Sequence, residues 1–343
     1  MSYERGLQAI NLQMPERIPH TEYISHRQFT MQVTGIDPEG PDGGQAGPAL
    51  AKALDFDFIW STFGYDFGLP SSHMGRAKYY ETETPFHSYY AFETVEQVLN
   101  FDPVAAATKM PTMEELTRRV REAWEGGQAA YPDAVYPGGF YNTVFTWPIL
   151  TFGWELFMQA AMDDPERFDR VLEGFTEISM MVVQAHVNAQ VPLFLCHDDI
   201  VWASGTVFRP DWMRRYVFPR HQRLWEPLRE AGIKVLFCSD GNFDEYVDDL
   251  AEAGAEGFIF EPLTNLDYIA GKYGQTHVII GNIDSRILQF GTAEAIRADV
   301  KRCADLGREC PGFFFAVGNH IPYTVPIPSV ECYLEAIQDY GRR

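Results

Sequence analysis

Five apolar runs in the second half of the chain end in groups that ionise or ligate. "VPLFLCHDD" (191–199) closes on His197, Asp198 and Asp199, and "IKVLFCSD" (233–240) closes on Cys238 and Asp240. "EGFIFEP" (256–262) ends at Glu261, "HVIIGNID" (277–284) at Asn282 and Asp284, and "GFFFAVGNHIP" (312–322) at Asn319 and His320. Polar groups at the ends of apolar strands are costly to bury unless they are paired or ligate something. Thiolate, carboxylate and imidazole together suit Zn²⁺. Cys238 and Asp240, two residues apart, face the same side of a strand. With His320 they could supply three ligands and leave one position open. The spacing lacks a CxxC or HExxH pattern, and a lone Cys238 would otherwise read as a small core residue. His197, Asp199 and Glu261 are the candidates for positioning a substrate or donating a proton. The plainer readings are a loop cap for His197 and loop hydrogen bonding for Glu261, which precedes Pro262. Strand alternation turns Asp198 and Asp199 to opposite sides, so one of the two is expected to cap or form a turn. Asp284, ahead of Ser285-Arg286, either starts a helix or pairs with the arginine.

These ends can meet only if the fold gathers them. Earlier apolar runs lie at 17–24, 56–62 and 134–144, making eight in all. Short and apolar on both faces, they fit parallel strands covered by helices. Amphipathic stretches separate them. "TMEELTRRVREAWEGG" opens with Thr112 and Glu115 in capping-box spacing and is expected to stop at Gly126-Gly127. "RPDWMRRYVFPRHQRLWEPLREAG" is helical with an interruption at Pro219, while "NFDEYVDDLAEAG" ends on a glycine stop. Eight strands in βα alternation predict an α/β protein, a (β/α)8 TIM barrel, whose site forms at the C-terminal ends of the strands. A doubly wound open sheet is the alternative, but no strand leads into G-x-G-x-x-G or a P-loop. The long, aromatic-rich stretch at about 63–133 reads as an insertion within one domain spanning 1–343.

The chain has 343 residues, 46% of them apolar and 22% charged, with a formal net charge of −21. Such acidity opposes nucleic acid and anionic membranes, whose phosphates require Lys or Arg. It also disfavours a polyanionic substrate. Five scattered cysteines make no disulfide framework. The polar start "MSYERGLQAINLQMPERIPH" lacks the apolar core of a signal peptide, and no run is long enough to span a bilayer. A cytoplasmic protein is expected.

Several segments carry a family resemblance that runs nearly end to end. "ERGLQAINLQMPERIP", "ETVEQVLNFDP", "FGWELFMQAAMDDPERFDRVLEGFTE", "RPDWMRRYVFPRHQRLWEPLREAGIKVLFCSDGN", "GNID" and "VGNHIPYTVPIPSVECYLEAI" resemble successive parts of the uroporphyrinogen decarboxylase superfamily. The resemblance implies a (β/α)8 barrel. True decarboxylases of that superfamily bind an octacarboxylate through an Arg-rich N-terminal segment and use an Asp at the end of the second strand. Here the first strand reads "RIPHTEYISHRQFT", and Thr62 stands at the Asp position. The other branch holds methyltransferases that serve cobalamin-dependent methyl transfer. These often bind zinc through His-x-Cys after the fifth strand and a Cys near the end of the eighth. The corresponding positions here are Cys238-Ser239-Asp240 and either Asn319 or His320.

The resemblance therefore implies a methyltransferase that moves a methyl group between a small O- or N-methylated compound and a corrinoid carried by a partner protein. A methoxy-aromatic would suit the aromatic side chains near the strand ends. Zinc at Cys238, Asp240 and His320 would polarise the heteroatom, with His197, Asp199 and Glu261 in catalysis. Trp60, Tyr65, Tyr141 and Asn282 would contact substrate, with Phe63 and Phe140 nearby; core packing is the plainer role for each aromatic. Two rivals stand beside this reading. One is a metal-free decarboxylase acting on a small carboxylated substrate. The other is a binding protein that kept the barrel and lost the chemistry.

Overall fold

The computed structural model describes residues 2–71 and 91–343. Six parallel strands form one sheet: Gly138–Tyr141, Leu193–His197, Lys234–Ser239, Gly257–Phe260, Val278–Ile280 and Phe313–Phe314, in that order. They are the third to eighth strands of a barrel. Two extended segments close the ring. Residues 18–21 pair with the eighth strand, where the Thr21 amide donates to the Phe315 carbonyl at 3.0 Å and the Phe315 amide to the Pro19 carbonyl at 2.8 Å. Residues 57–59 join this first segment through the Asp57 amide and the His20 carbonyl, 2.9 Å apart. They reach the third strand through Ile59 to Val135 and Val135 to Asp57, each 3.0 Å. The eight parallel staves form a (β/α)8 barrel, as the alternation predicts.

Strand alternation sorts the side chains into two layers. Phe58, Leu195, Leu236, Cys238, Ile259, Ile280, Phe314 and Ala316 fill the interior. Phe194, Cys196, Phe237, Phe258 and Phe260 point outward into the larger cluster under the helices. Ala9 and Ile10 of the N-terminal helix Ser2–Ile10 join the inner cluster. That helix carries Arg5, which pairs with the buried Asp57 at 2.6 Å. The helix therefore packs over the N-terminal end of the barrel, opposite the strand ends that carry the polar residues.

The helices follow the sequence reading with one difference. Thr112 caps helix Met113–Ala130 by accepting the Glu115 amide, but the helix runs through Gly126-Gly127 rather than stopping there. Gly127 serves packing, because a Cβ at that position would lie 2.1 Å from the Tyr136 ring. The interruption near Pro219 is real: helix Pro210–Tyr216 gives way at Val217 to helix Phe218–Glu230. Gly254 ends helix Val247–Ala253 in the left-handed region, φ 112°. Within the stretch expected as an insertion, residues 72–90 lie outside the described residues, and three helices lie between 95 and 130. No described helix is long and apolar enough to cross a membrane.

Candidate active site

The mouth of the barrel is built by alternation. Inward positions on the fourth strand run Leu193, Leu195, His197 and then Asp199; on the fifth they run Leu236, Cys238 and then Asp240. Apolar residues fill the lower layers, and the first polar residue on each strand emerges where the strand ends. Tyr141 ends the third strand beside His197, with ring centroids 4.3 Å apart.

His197, Asp199 and Asp240 converge. One ligand atom from each lies within 4.8 Å of the others, the arrangement of a group able to hold a metal ion. The His197 Nε2 lies 3.2 Å from Asp199 Oδ1. The Asp240 amide donates to the same Asp199 oxygen at 2.9 Å, and the Tyr141 hydroxyl donates to Asp199 Oδ2 at 3.3 Å. The Asp199 amide donates to Thr146 Oγ1 at 2.8 Å. Asp199 is thus fixed from four sides.

Glu261, at the end of the sixth strand, ties two further loops to this cluster. Its Oε2 accepts the Gly241 amide at 2.6 Å, and its Oε1 accepts Asn319 Nδ2 at 3.0 Å. Asn319 Oδ1 faces His320 Nδ1 at 2.7 Å. Gly318 permits this approach, because a Cβ there would lie 1.9 Å from the Phe260 carbonyl oxygen. The end of the eighth strand therefore packs directly on the sixth.

The electrostatics follow from the geometry. Burial raises the Asp240 carboxyl to about 7, and the neighbouring Asp199 and Glu261 add to that; His197 and an Asn319 hydrogen bond oppose it. Burial would also raise Asp199, but the facing His197 holds it below the usual carboxylate range. Burial works against a charged His197, yet Cys238 and Asp199 beside it raise its pKa well above the ordinary value. The Cys238 thiol is itself pushed up to about 11 by burial and is neutral at pH 7, so Asp199 is the charged partner of His197. His320 is lowered by burial, against the opposing pull of Glu261.

The residues proposed from sequence fall into three groups. His197, Asp199, Asp240, Tyr141 and Glu261 meet at the mouth. Cys238 and His320 border it without joining the metal-capable trio. Cys238 pairs across from His197, is buried in the inner core and hydrogen-bonds the imidazole; His320 sits at the rim beside Tyr23, 6.2 Å between ring centroids. Trp60 packs against the inner core. Tyr65 and Asn282 lie elsewhere. Tyr65 packs behind the third strand on Phe140, Phe67 and His186. Asn282 is buried, donates to the Thr264 carbonyl at 3.0 Å and is held by Arg302. Asp284 does both things expected of it, capping helix Ser285–Phe290 and pairing with Arg286 at 2.6 Å. Sequence reasoning missed Thr146 and the bridging role of Asn319, because neither shows a pattern before the loops are in place.

The donor set of one imidazole nitrogen and two carboxylate oxygens, partly buried, fits a divalent cation of the zinc type. Burial, with Asp199 and Glu261 adding to it, disfavours the ionised Asp240 carboxyl, and a cation would offset that cost.

A family model described as uroporphyrinogen decarboxylase (URO-D) matches residues 52–340. A uroporphyrinogen decarboxylase of Salinispora tropica is 29% identical over 164 residues, covering 48% of this chain and 43% of that protein. One of Thermus thermophilus is 29% identical over 170 residues, 50% of this chain and 48% of the other. The matched stretch thus spans about half the length of these curated relatives. Among solved structures, a methyltransferase from Methanosarcina mazei superposes with a TM-score of 0.69 at 18% identity, over 99% of this chain and 98% of that one, which shows the shared barrel. With the matching model covering most of its length, the chain belongs to the uroporphyrinogen decarboxylase family.

Proposed function

We propose that this chain is a methyltransferase that moves a methyl group between a small O- or N-methylated compound and a corrinoid carried by a partner protein, using a divalent metal, zinc in the first instance, at His197, Asp199 and Asp240. The observation that carries the reading is the convergence of those three ligand atoms within 4.8 Å at the barrel mouth. Of the charges that bear most on Asp240, Asp199 and Glu261 raise its pKa and His197 opposes them. A polycarboxylate would meet repulsion here, whereas a cation would be attracted. An ether or amine methyl has a poor leaving group, and a bound metal would supply the Lewis acidity that stabilises the departing heteroatom.

The chain's own residues set up that step. His197 is held by Cys238 on the neighbouring strand and by Asp199 on its own. Glu261 and Asn319 fix the loops that frame the opening. The Tyr141 ring forms one wall. When the methyl group leaves, the electron pair of the broken bond stays on the heteroatom, which takes up a proton.

Asp240 near neutrality also favours a second reading, a metal-free decarboxylase in which Asp240 protonates the carbanion left by a small carboxylated substrate. One experiment separates the two. Purified protein is supplied with Zn²⁺, cob(I)alamin and a panel of methoxylated and N-methylated compounds, and methylcobalamin formation is followed by absorbance. Zinc-dependent methylation that chelator abolishes supports the methyltransferase. Release of CO2 from small carboxylates, unaffected by chelator, would support the decarboxylase instead.

A further inference from the structure

Asp198 stands outside the chemistry just described. Its side chain is fully buried, on the opposite face of the fourth strand from His197 and Asp199. It accepts from the amides of Val144 at 3.1 Å, Phe145 at 3.1 and 3.2 Å, and Thr146 at 2.7 Å. It also accepts from the Thr143 hydroxyl at 2.7 Å and lies 3.0 Å from His221 Nε2. His221, on helix Phe218–Glu230, is buried and stacks on Trp225 with ring centroids 4.9 Å apart. Among the described residues its Nδ1 has no partner, so Nε2 is the nitrogen that donates. One carboxylate thereby holds three successive amides of the turn after the third strand.

That turn reaches the mouth. Thr146, whose amide is bound by Asp198, uses its Oγ1 to accept the amide of Asp199. Asp199 in turn accepts the amide of Asp240. Hydrogen bonds therefore run without a gap from the outer helical layer through Asp198, Thr146 and Asp199 to Asp240.

We propose that Asp198 is a positioning residue: by fixing the 143–146 turn it sets Asp199, and through Asp199 the fifth-strand end, in the convergent geometry of the mouth. The functional weight of this relay rests on the reading of the mouth given above, while the relay itself is a claim about local geometry. Asp198→Asn keeps the volume but turns an NH₂ toward amides that also donate. Thr146→Val removes only the hydroxyl that joins the turn to Asp199.

Hydrogen exchange followed by mass spectrometry tests the proposal, with Asp57→Asn at the N-terminal end of the barrel as the control for loss of a buried carboxylate. Asp198→Asn is expected to speed exchange in peptides covering 142–152 and 196–202 about tenfold, against a wild-type-like remainder. Thr146→Val is expected to do so in 196–202, and Asp57→Asn in neither. Added Co²⁺ gives a second readout: both mouth variants should bind it about tenfold more weakly, with an altered d–d spectrum. Wild-type exchange in both segments of Asp198→Asn, or an increase spread evenly over the chain, would overturn the proposal. If Asp198→Asn does not fold, unchanged exchange at 196–202 in Thr146→Val overturns it alone. Failure of the wild type to take up Co²⁺ would strike the metal reading, and the exchange comparison would still decide the positioning role.

Discussion

Asp240 donates its backbone amide to the carboxylate of Asp199 at 2.9 Å, so the same two residues are bonded through one's main chain and repelled through their side chains. The main-chain bond is set by the adjacent ends of the fourth and fifth strands. Burial first, and that repulsion second, keep the Asp240 proton in place up to about pH 7. This pairing is poised for a cation, and several measurable consequences follow from it.

Metal affinity should rise with pH through about 7. Ligands must shed their protons to bind. Asp240 is half protonated near pH 7, and His197, raised well above its ordinary value, is charged there. Titration of Zn²⁺ by calorimetry in buffers of different ionisation enthalpy should show net release of protons at pH 7, from His197 and Asp240. Binding that is independent of pH between 6 and 8 would contradict this.

Without metal, Asp240→Asn should stabilise the protein. The Asp240 pKa is raised in the fold, so its ionised form is disfavoured, and stability falls as pH climbs from the ordinary carboxylate range through about 7. Removing the charge should recover more stability at pH 8 than at pH 5, by about 1–3 kcal/mol. Chemical denaturation at the two pH values measures the difference, and Zn²⁺ binding should be lost in the same variant.

Much of this arrangement was legible in the sequence, because period-two alternation alone places His197, Asp199, Cys238, Asp240 and Glu261 on the inner side of their strands. Alternation does not give depth. Cys238 and Asp240 share a face, yet Cys238 pairs across from His197 and is buried in the inner core, while Asp240, two residues on, reaches the opening. Depth depends on the stagger between strands, which one strand's sequence does not carry. The eighth strand ends in a loop, where Gly318 lets Asn319 swing to Glu261 and leaves His320 at the rim. Tyr65 and Asn282 follow strand ends, but Tyr65 packs on Phe140 and Asn282 bonds the Thr264 carbonyl rather than joining the cluster at the mouth. Alternation turns Asp198 and Asp199 to opposite sides without saying which of them caps or turns; the amide cluster of Asp198 depends on a turn more than 50 residues away in sequence.

Cys238 should prove dispensable for metal. It supports His197 from the core and lies outside the converging trio. Cys238→Ala should lower stability by about 1–2 kcal/mol through the lost packing, with Zn²⁺ stoichiometry unchanged. Loss of the metal together with a normal melting temperature would return Cys238 to the ligand set.

Uroporphyrinogen should not be turned over. Its carboxylates would confront Asp199, Asp240 and Glu261, with His197 the positive group acting on Asp240. Coproporphyrinogen formation at an ordinary enzymic rate would refute the acidic-mouth argument.

The most direct measurement is zinc-edge anomalous diffraction from crystals of the protein grown with Zn²⁺. The account requires one strong peak at the barrel mouth, about 2.0–2.2 Å from a His197 nitrogen and from a carboxylate oxygen each of Asp199 and Asp240. A peak bound instead by Cys238 and His320, or no peak at the mouth under saturating zinc, would contradict it.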